Sequence, residues 1–171
     1  MKTVIFLTII SSCIFADSYF FGGKAGVKPV DTQLYKTECG ACHFAYQAGL
    51  LPSNSWNKMM NNLENHFNTD ATLAKEDFEA IKDYLNKNSA EKAMQYKRSN
   101  RIVSSIRNND IPESISKTPY MIRKHDELRP SMIKQDDVKG LFNCVACHTT
   151  ANKGIYSERD IRIPNFGRWE D

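Results

Sequence analysis

Two short runs hold the residues best suited to chemistry in this chain: Cys39-Gly40-Ala41-Cys42-His43 and Cys144-Val145-Ala146-Cys147-His148. A Cys-x-x-Cys-His run is the attachment site of a c-type haem. Its two thiols bond to the vinyl groups on one side of a porphyrin, and the histidine then lies beneath the ring with an imidazole nitrogen for iron. On a helix the three residues fall at i, i+3 and i+4 and share one face. Other uses of Cys-x-x-Cys fit less well. Zinc wants four ligands converging on one metal, and a histidine directly after the second cysteine is badly placed for that. A dithiol redox site wants a βαβ setting, and none is visible. Cys39, Cys42, Cys144 and Cys147 therefore read as covalent anchors for two haem c groups, with His43 and His148 each binding one iron.

Each iron then needs a further axial ligand. The chain has four histidines, and the two outside the motifs are His66 and His125. His66 lies 23 residues after His43, and His125 lies 23 before His148. Both fall on the apolar faces of predicted helices, so His66 is assigned to the first iron and His125 to the second. Taken without haem, His66 would read as a core histidine and His125 as a surface one between Lys124 and Asp126. Methionine is the rival ligand. Met59 and Met60 read as helix-face core, while Met121 and Met132 stay open as alternatives at the second iron.

The elements that must position these groups are mainly helical. Asp31 or Thr32 can cap a helix that carries Leu34, Tyr35 and the first motif. Ser53 can cap a second over 54–67, with Trp56, Met59, Met60 and Leu63 on one face and His66 continuing it. A third is predicted over 75–86 around Phe78, Ile81 and Leu85. A polar, basic fourth is predicted over 90–107 as a bridge between halves. Pro119 can start a helix bearing Met121, Ile122, His125 and Leu128, which Arg129-Pro130 ends. Asp136 or Asp137 can cap a last one running through Leu141 and Phe142 into Cys144. The tail from 155 onward reads as extended chain over the second haem, and no strong sheet signal appears.

Size and export agree with this picture. At 171 residues, 41% hydrophobic and 25% charged, the chain has room for one domain or two small ones. Halves of about 70 residues have marginal cores, which two porphyrins would complete. Residues 1–16 read as a signal peptide: Lys2, an apolar run over 4–15, and Ala16 at the cleavage point. Ile10-Ser11-Ser12-Cys13 is a rival lipoprotein box that would leave a lipid anchor on Cys13, but the apolar run before it is short. Either route exports the product to the periplasm. Cleavage leaves a net charge of +2, which argues nothing about nucleic acid. Residues 61–91 hold seven acids and three bases, whereas 92–109 hold Lys92, Lys97, Arg98, Arg101 and Arg107 and no acid. Such a run is usually a solvated helix face, with docking to an acidic partner or contact with haem propionates as the alternatives. The expected organisation is an N-terminal haem domain over 17–95 and a C-terminal one over 96–171.

The sequence also resembles the bacterial periplasmic dihaem cytochrome c family over residues 34–164. The resemblance is carried by Tyr35-Lys36-Thr37-Glu38 before the first motif, Leu50-Leu51-Pro52 with Trp56, and Leu63-Glu64-Asn65-His66-Phe67 with Asp70-Ala71. It continues in His125-Asp126-Glu127-Leu128, Asn143 before the second motif, and Ile161-Arg162-Ile163-Pro164. It implies two small cytochrome c-like helical haem domains with extended loops and a C-terminal tail, bis-histidine irons with His66 and His125 as distal ligands, and electron transfer. Some members donate electrons to a small oxygen-binding c-type haem protein, and some accompany a membrane cytochrome b. Two positions depart from the family pattern: Gln47-Ala48 stands where a proline is expected, and Asn68 replaces a glycine. The expected function is an exported electron carrier and not an enzyme. A dihaem peroxidase would need an open iron with acid–base groups beside it, and no histidine is left for that work. A gas or redox sensor would bring a signalling domain.

Overall fold

The structure, a computed structural model, describes residues 23–170. The signal peptide and Cys13 fall outside the described residues. The fold is mainly helical, as expected. Its α-helices are α1 (Gln33–Cys39), α2 (Ser53–Met60), α3 (Lys75–Lys87), α4 (Lys97–Ser105), α5 (Pro119–Lys124), α6 (Pro130–Ile133) and α7 (Cys144–Cys147). Short 3-10 turns lie between them. Helices this short are marginal alone, so they depend on what they pack against.

Two apolar clusters provide that. In one, Ile81 and Leu85 of α3 meet Trp56 and Met60 of α2, Tyr35 of α1, and Val30, Ala48 and Leu51. Side-chain hydrogen bonds tie the loop after the first motif to this cluster. Trp56 Nε1 donates to Ala48 O at 2.7 Å and Tyr35 OH to Tyr46 O at 2.8 Å. The other cluster gathers Val27, Leu50, Ala90, Ile102, Tyr120, Met121, Ala151 and Tyr156, residues from both sides of position 95. There Gly26 N donates to Gly154 O at 2.8 Å. Gly154 has φ +70° and its Cα faces the Val27 carbonyl; a side chain would clash there as well as strain the backbone.

Several helices stop or start elsewhere than predicted, each for an identifiable physical reason. The helix expected over 54–67 ends at Met60. Beyond it, asparagines bond the backbone in place of helix partners: Asn62 Nδ2 donates to Asn65 O at 3.2 Å, and Asn68 N to Asn65 Oδ1 at 3.2 Å. The bridge helix expected over 90–107 begins only at Lys97, because Arg98 N donates to Gly26 O at 2.9 Å and sets the start there. No helix runs from Asp136 to Cys144, since Lys139 and Gly140 take φ values of 64° and 143°. Pro130 opens α6 at its first position instead of only ending α5. The tail is not simply extended. Its strands β1 (Arg162–Ile163) and β2 (Gly167–Arg168) pair antiparallel with Arg162 opposite Arg168, and Ile161 bridges to the backbone of His148.

Candidate haem-binding sites

The first motif straddles a helix end. α1 stops at Cys39, and Cys42 and His43 follow in a turn, so the shared helical face expected for this motif is not formed. The second motif does make one helical turn, α7, with His148 as its C-cap and His148 N donating to Cys144 O at 2.8 Å. Neither Cys39 nor Cys144 is poised as a nucleophile. Burial, helped by Glu38, pushes Cys39 up to about 11, and burial pushes Cys144 up to about 11 as well. Among the described residues no three His, Cys, Asp or Glu side chains converge as a metal cluster, which leaves the zinc reading without a ligand set.

The histidines meet in local pairs. The His43 and His66 rings lie 6.2 Å apart between centroids with their planes at 30°. The His125 and His148 rings are also 6.2 Å apart, with planes at 84°. A metal–imidazole nitrogen bond is about 2.0 Å, and that nitrogen sits roughly 1.1 Å from the ring centre, so two imidazoles on opposite sides of one metal have centroids about 6 Å apart. Both pairs are spaced to hold one iron between them.

The ring nitrogens are arranged accordingly. His43 Nδ1 lies 2.9 Å from Phe44 O, and His125 Nδ1 lies 2.8 Å from Met121 O. A carbonyl only accepts, so each Nδ1 carries the proton and each Nε2 keeps a free lone pair. His148 is held neutral: burial, then His125 and Arg98, push it down to about 4. Burial and then His43 lower His66. Neutral imidazole is the form that binds iron.

Neither distal histidine sits on a helix face as predicted. His125 is the C-cap of α5, whose start is capped by Thr118, its hydroxyl accepting from Met121 N at 3.3 Å. His66 opens a two-residue turn, with His66 N donating to Thr69 O at 2.8 Å and Thr69 N returning to His66 O at 3.1 Å. Phe67 and Asn68 there have φ 51° and 68°. Asparagine tolerates that conformation; phenylalanine is strained in it, and its ring stands edge-on to His66 at 4.9 Å. Met59 and Met60 pack in the first cluster, as expected.

Four positions that touch or link the two histidine pairs carried no motif signal. Tyr46 lies against His43 at 4.8 Å, and its hydroxyl donates to the carbonyl of Phe142, two residues before Cys144. Tyr156 stands against His148 at 5.3 Å, and its hydroxyl donates to Gln47 Oε1 at 2.7 Å. Gln47 Nε2 donates onward to Ala151 O at 2.6 Å. Arg98 turns inward between Tyr120 and Tyr156. Tyr46 sits three residues after the first motif, and that proximity was its one sequence clue.

A family model for dihaem cytochrome c matches residues 35–156. Among solved structures, a dihaem cytochrome type c from Shewanella baltica OS155 is 35% identical with a TM-score of 0.67, over 81% of this chain and 97% of that one. A dihaem cytochrome c from Rhodobacter sphaeroides is 38% identical with a TM-score of 0.68, over 76% of this chain and all of the other. A second structure from that organism is 37% identical, TM-score 0.61, over 75% and 99%. No match was found among curated proteins. With two attachment motifs, two histidine pairs and this similarity over most of its length, the chain belongs to the dihaem cytochrome c family, an electron-transfer family whose members carry two covalently bound haem c groups.

Proposed function

We propose that this protein is an exported electron carrier in which both irons are closed by two histidines. Cys39 and Cys42 anchor the first haem, with His43 and His66 on its iron. Cys144 and Cys147 anchor the second, with His148 and His125. The observation that carries this reading is the 6.2 Å centroid spacing in both histidine pairs. When bound, each haem supplies an iron that gains and releases one electron. The protein's part is to hold the imidazoles neutral and fixed and to leave no coordination position for peroxide or oxygen. Histidine in place of methionine also removes one lever that raises potential, so both potentials are low.

The reading places the mature protein in the periplasm, on the strength of residues 2–16, and gives it redox proteins as partners. A small oxygen-binding c-type haem protein and a membrane cytochrome b are the partner classes implied by the family resemblance. Among the described residues no helix is long and apolar enough to cross a membrane. The halves 17–95 and 96–171 each hold one haem and share the cluster around Ile102.

Low-temperature EPR of the oxidised holoprotein tests the ligand set. Two distinct low-spin signals are expected, because one ring pair is near parallel and the other near perpendicular. The reduced protein should not take up carbon monoxide quickly. His125→Ala should convert only the near-perpendicular signal to high spin, and His66→Ala only the other. A high-spin iron in the wild type would overturn the closed-site carrier and favour an enzyme or gas-binding role.

A further inference from the structure

Among the described residues no acid forms an ion pair with Arg98. Its Nη1 donates to Tyr120 OH at 3.0 Å and its Nη2 to Tyr156 O at 2.8 Å. Its Nε is buried and has no hydrogen-bond partner. Its Cζ lies 5.0 Å from the Tyr156 ring centre and 5.8 Å from that of Tyr120. All of these partners are neutral. Burial drives Tyr156 above the ordinary phenol range, so it stays protonated. Arg98 does influence the charge of Glu158, but that acid is exposed and already bound to Lys124 at 2.8 Å. A guanidinium partly withdrawn from water without a paired acid carries a cost, so something else at this place should favour it.

A second ring against Tyr156 points to what that is. The Tyr156 ring lies 5.3 Å from the ring of His148, so the guanidinium is at most about 10 Å from that ring. That is about one Debye length at 0.1 M salt, and Tyr156, which lies against both, is buried. Among the described residues no cation stands over a ring that touches His43 or His66. His66 there responds to His43, and the charge acting on Cys39 is that of Glu38, an exposed acid.

We propose that Arg98 is a positioning residue of the second haem, whose fixed positive charge draws the electron onto the second iron ahead of the first. Reduction of a ferric iron adds one negative charge, and a nearby cation stabilises the reduced state whether it acts on the iron or on an acidic group of the haem. The inference rests on the ligand assignment above, with His125 and His148 at the second iron.

The test is a potentiometric titration of the holoprotein followed by EPR, in which the near-perpendicular pair identifies the second haem. In the wild type its signal should disappear first. Arg98→Gln should shift the electron between the haems by about tenfold toward the first, which is 59 mV for a one-electron couple. Arg98→Lys keeps the charge and should keep the wild-type order, although it loses the fork of hydrogen bonds. Three results would overturn the proposal: the first haem reduced first in the wild type, an unchanged gap in Arg98→Gln, or Arg98→Lys behaving like Arg98→Gln. If Arg98→Gln fails to mature, the order of reduction in the wild type and in Arg98→Lys decides. A wild type lacking two low-spin signals would instead sink the ligand assignment itself.

Discussion

Gln47→Met removes the polar link between the loop after the first haem motif and the segment after the second, at nearly constant side-chain volume. Gln47 is 0% exposed. It accepts from Tyr156 OH at 2.7 Å and donates to Ala151 O at 2.6 Å. Methionine fills the space and makes neither bond, so a buried hydroxyl and a buried carbonyl lose their partner. Each such group costs about 1–3 kcal/mol, for a total of roughly 2–6 kcal/mol. A domain holds only about 5–15 kcal/mol in all, so the loss should be plain. It corresponds to a fall in Tm of roughly 4–24 °C at about 2–4 °C per kcal/mol for a chain of this size. Denaturant unfolding of the oxidised holoprotein, followed by far-UV circular dichroism, measures it. Tyr156→Phe completes the cycle. Alone it should cost about 1 kcal/mol, but in the Gln47→Met background it removes a hydroxyl that is already orphaned and should cost little or restore some stability. A loss below about 0.5 kcal/mol for Gln47→Met, or strictly additive effects, would refute the link.

Two further outcomes follow from the caps and turns. Pro52 offers α2 no side-chain cap, and the Glu91 carboxylate takes Ser53 N at 3.1 and 3.3 Å instead. Burial pushes Glu91 up, but hydrogen bonds from Ser53 and Ser89 outweigh it and leave the group below its ordinary value. Its contribution is therefore present above the unfolded pKa of about 4.3 and is lost as pH falls through the lower folded value. Thermal melts should show Glu91→Gln costing about 1 kcal/mol at pH 7 and converging with the wild type in acid. Asn68, at φ 68°, should lose about 1 kcal/mol on change to Ala and nothing on change to Gly. Equal melting temperatures for the Ala and Gly variants would remove the left-handed turn from the account of how His66 is held.

What could be read from the chain by itself was whatever sits in consecutive residues. The two Cys-x-x-Cys-His runs point to two haems through local spacing alone, and the 3.6-residue pattern of Phe78, Ile81 and Leu85 located α3 to within a residue of its Lys75–Lys87 span. Pro119 marked the start of α5 for the same reason. The helices misjudged were those whose ends are set by hydrogen bonds outside the periodic pattern, local in one case and distant in another. Asn54 through His66 has helical periodicity, yet side-chain bonds among Asn62, Asn65 and Asn68 end it. Lys97 begins α4 because Gly26 offers a carbonyl to the next residue.

Only the tertiary structure decided how the haem sites are joined. Gln47, a departure from the family pattern, lies buried across from Tyr156 and Ala151. Arg98, one base among five in a run that reads as solvated, turns inward while Lys97 and Arg101 beside it stay exposed. Tyr46 spans from His43 to the residue before Asn143. Each of these groups takes its role from a partner 58 to 109 positions away. Hydrogen bonds and charges act through space over a few ångströms, so a pattern read along the chain holds no trace of them until folding closes the distance.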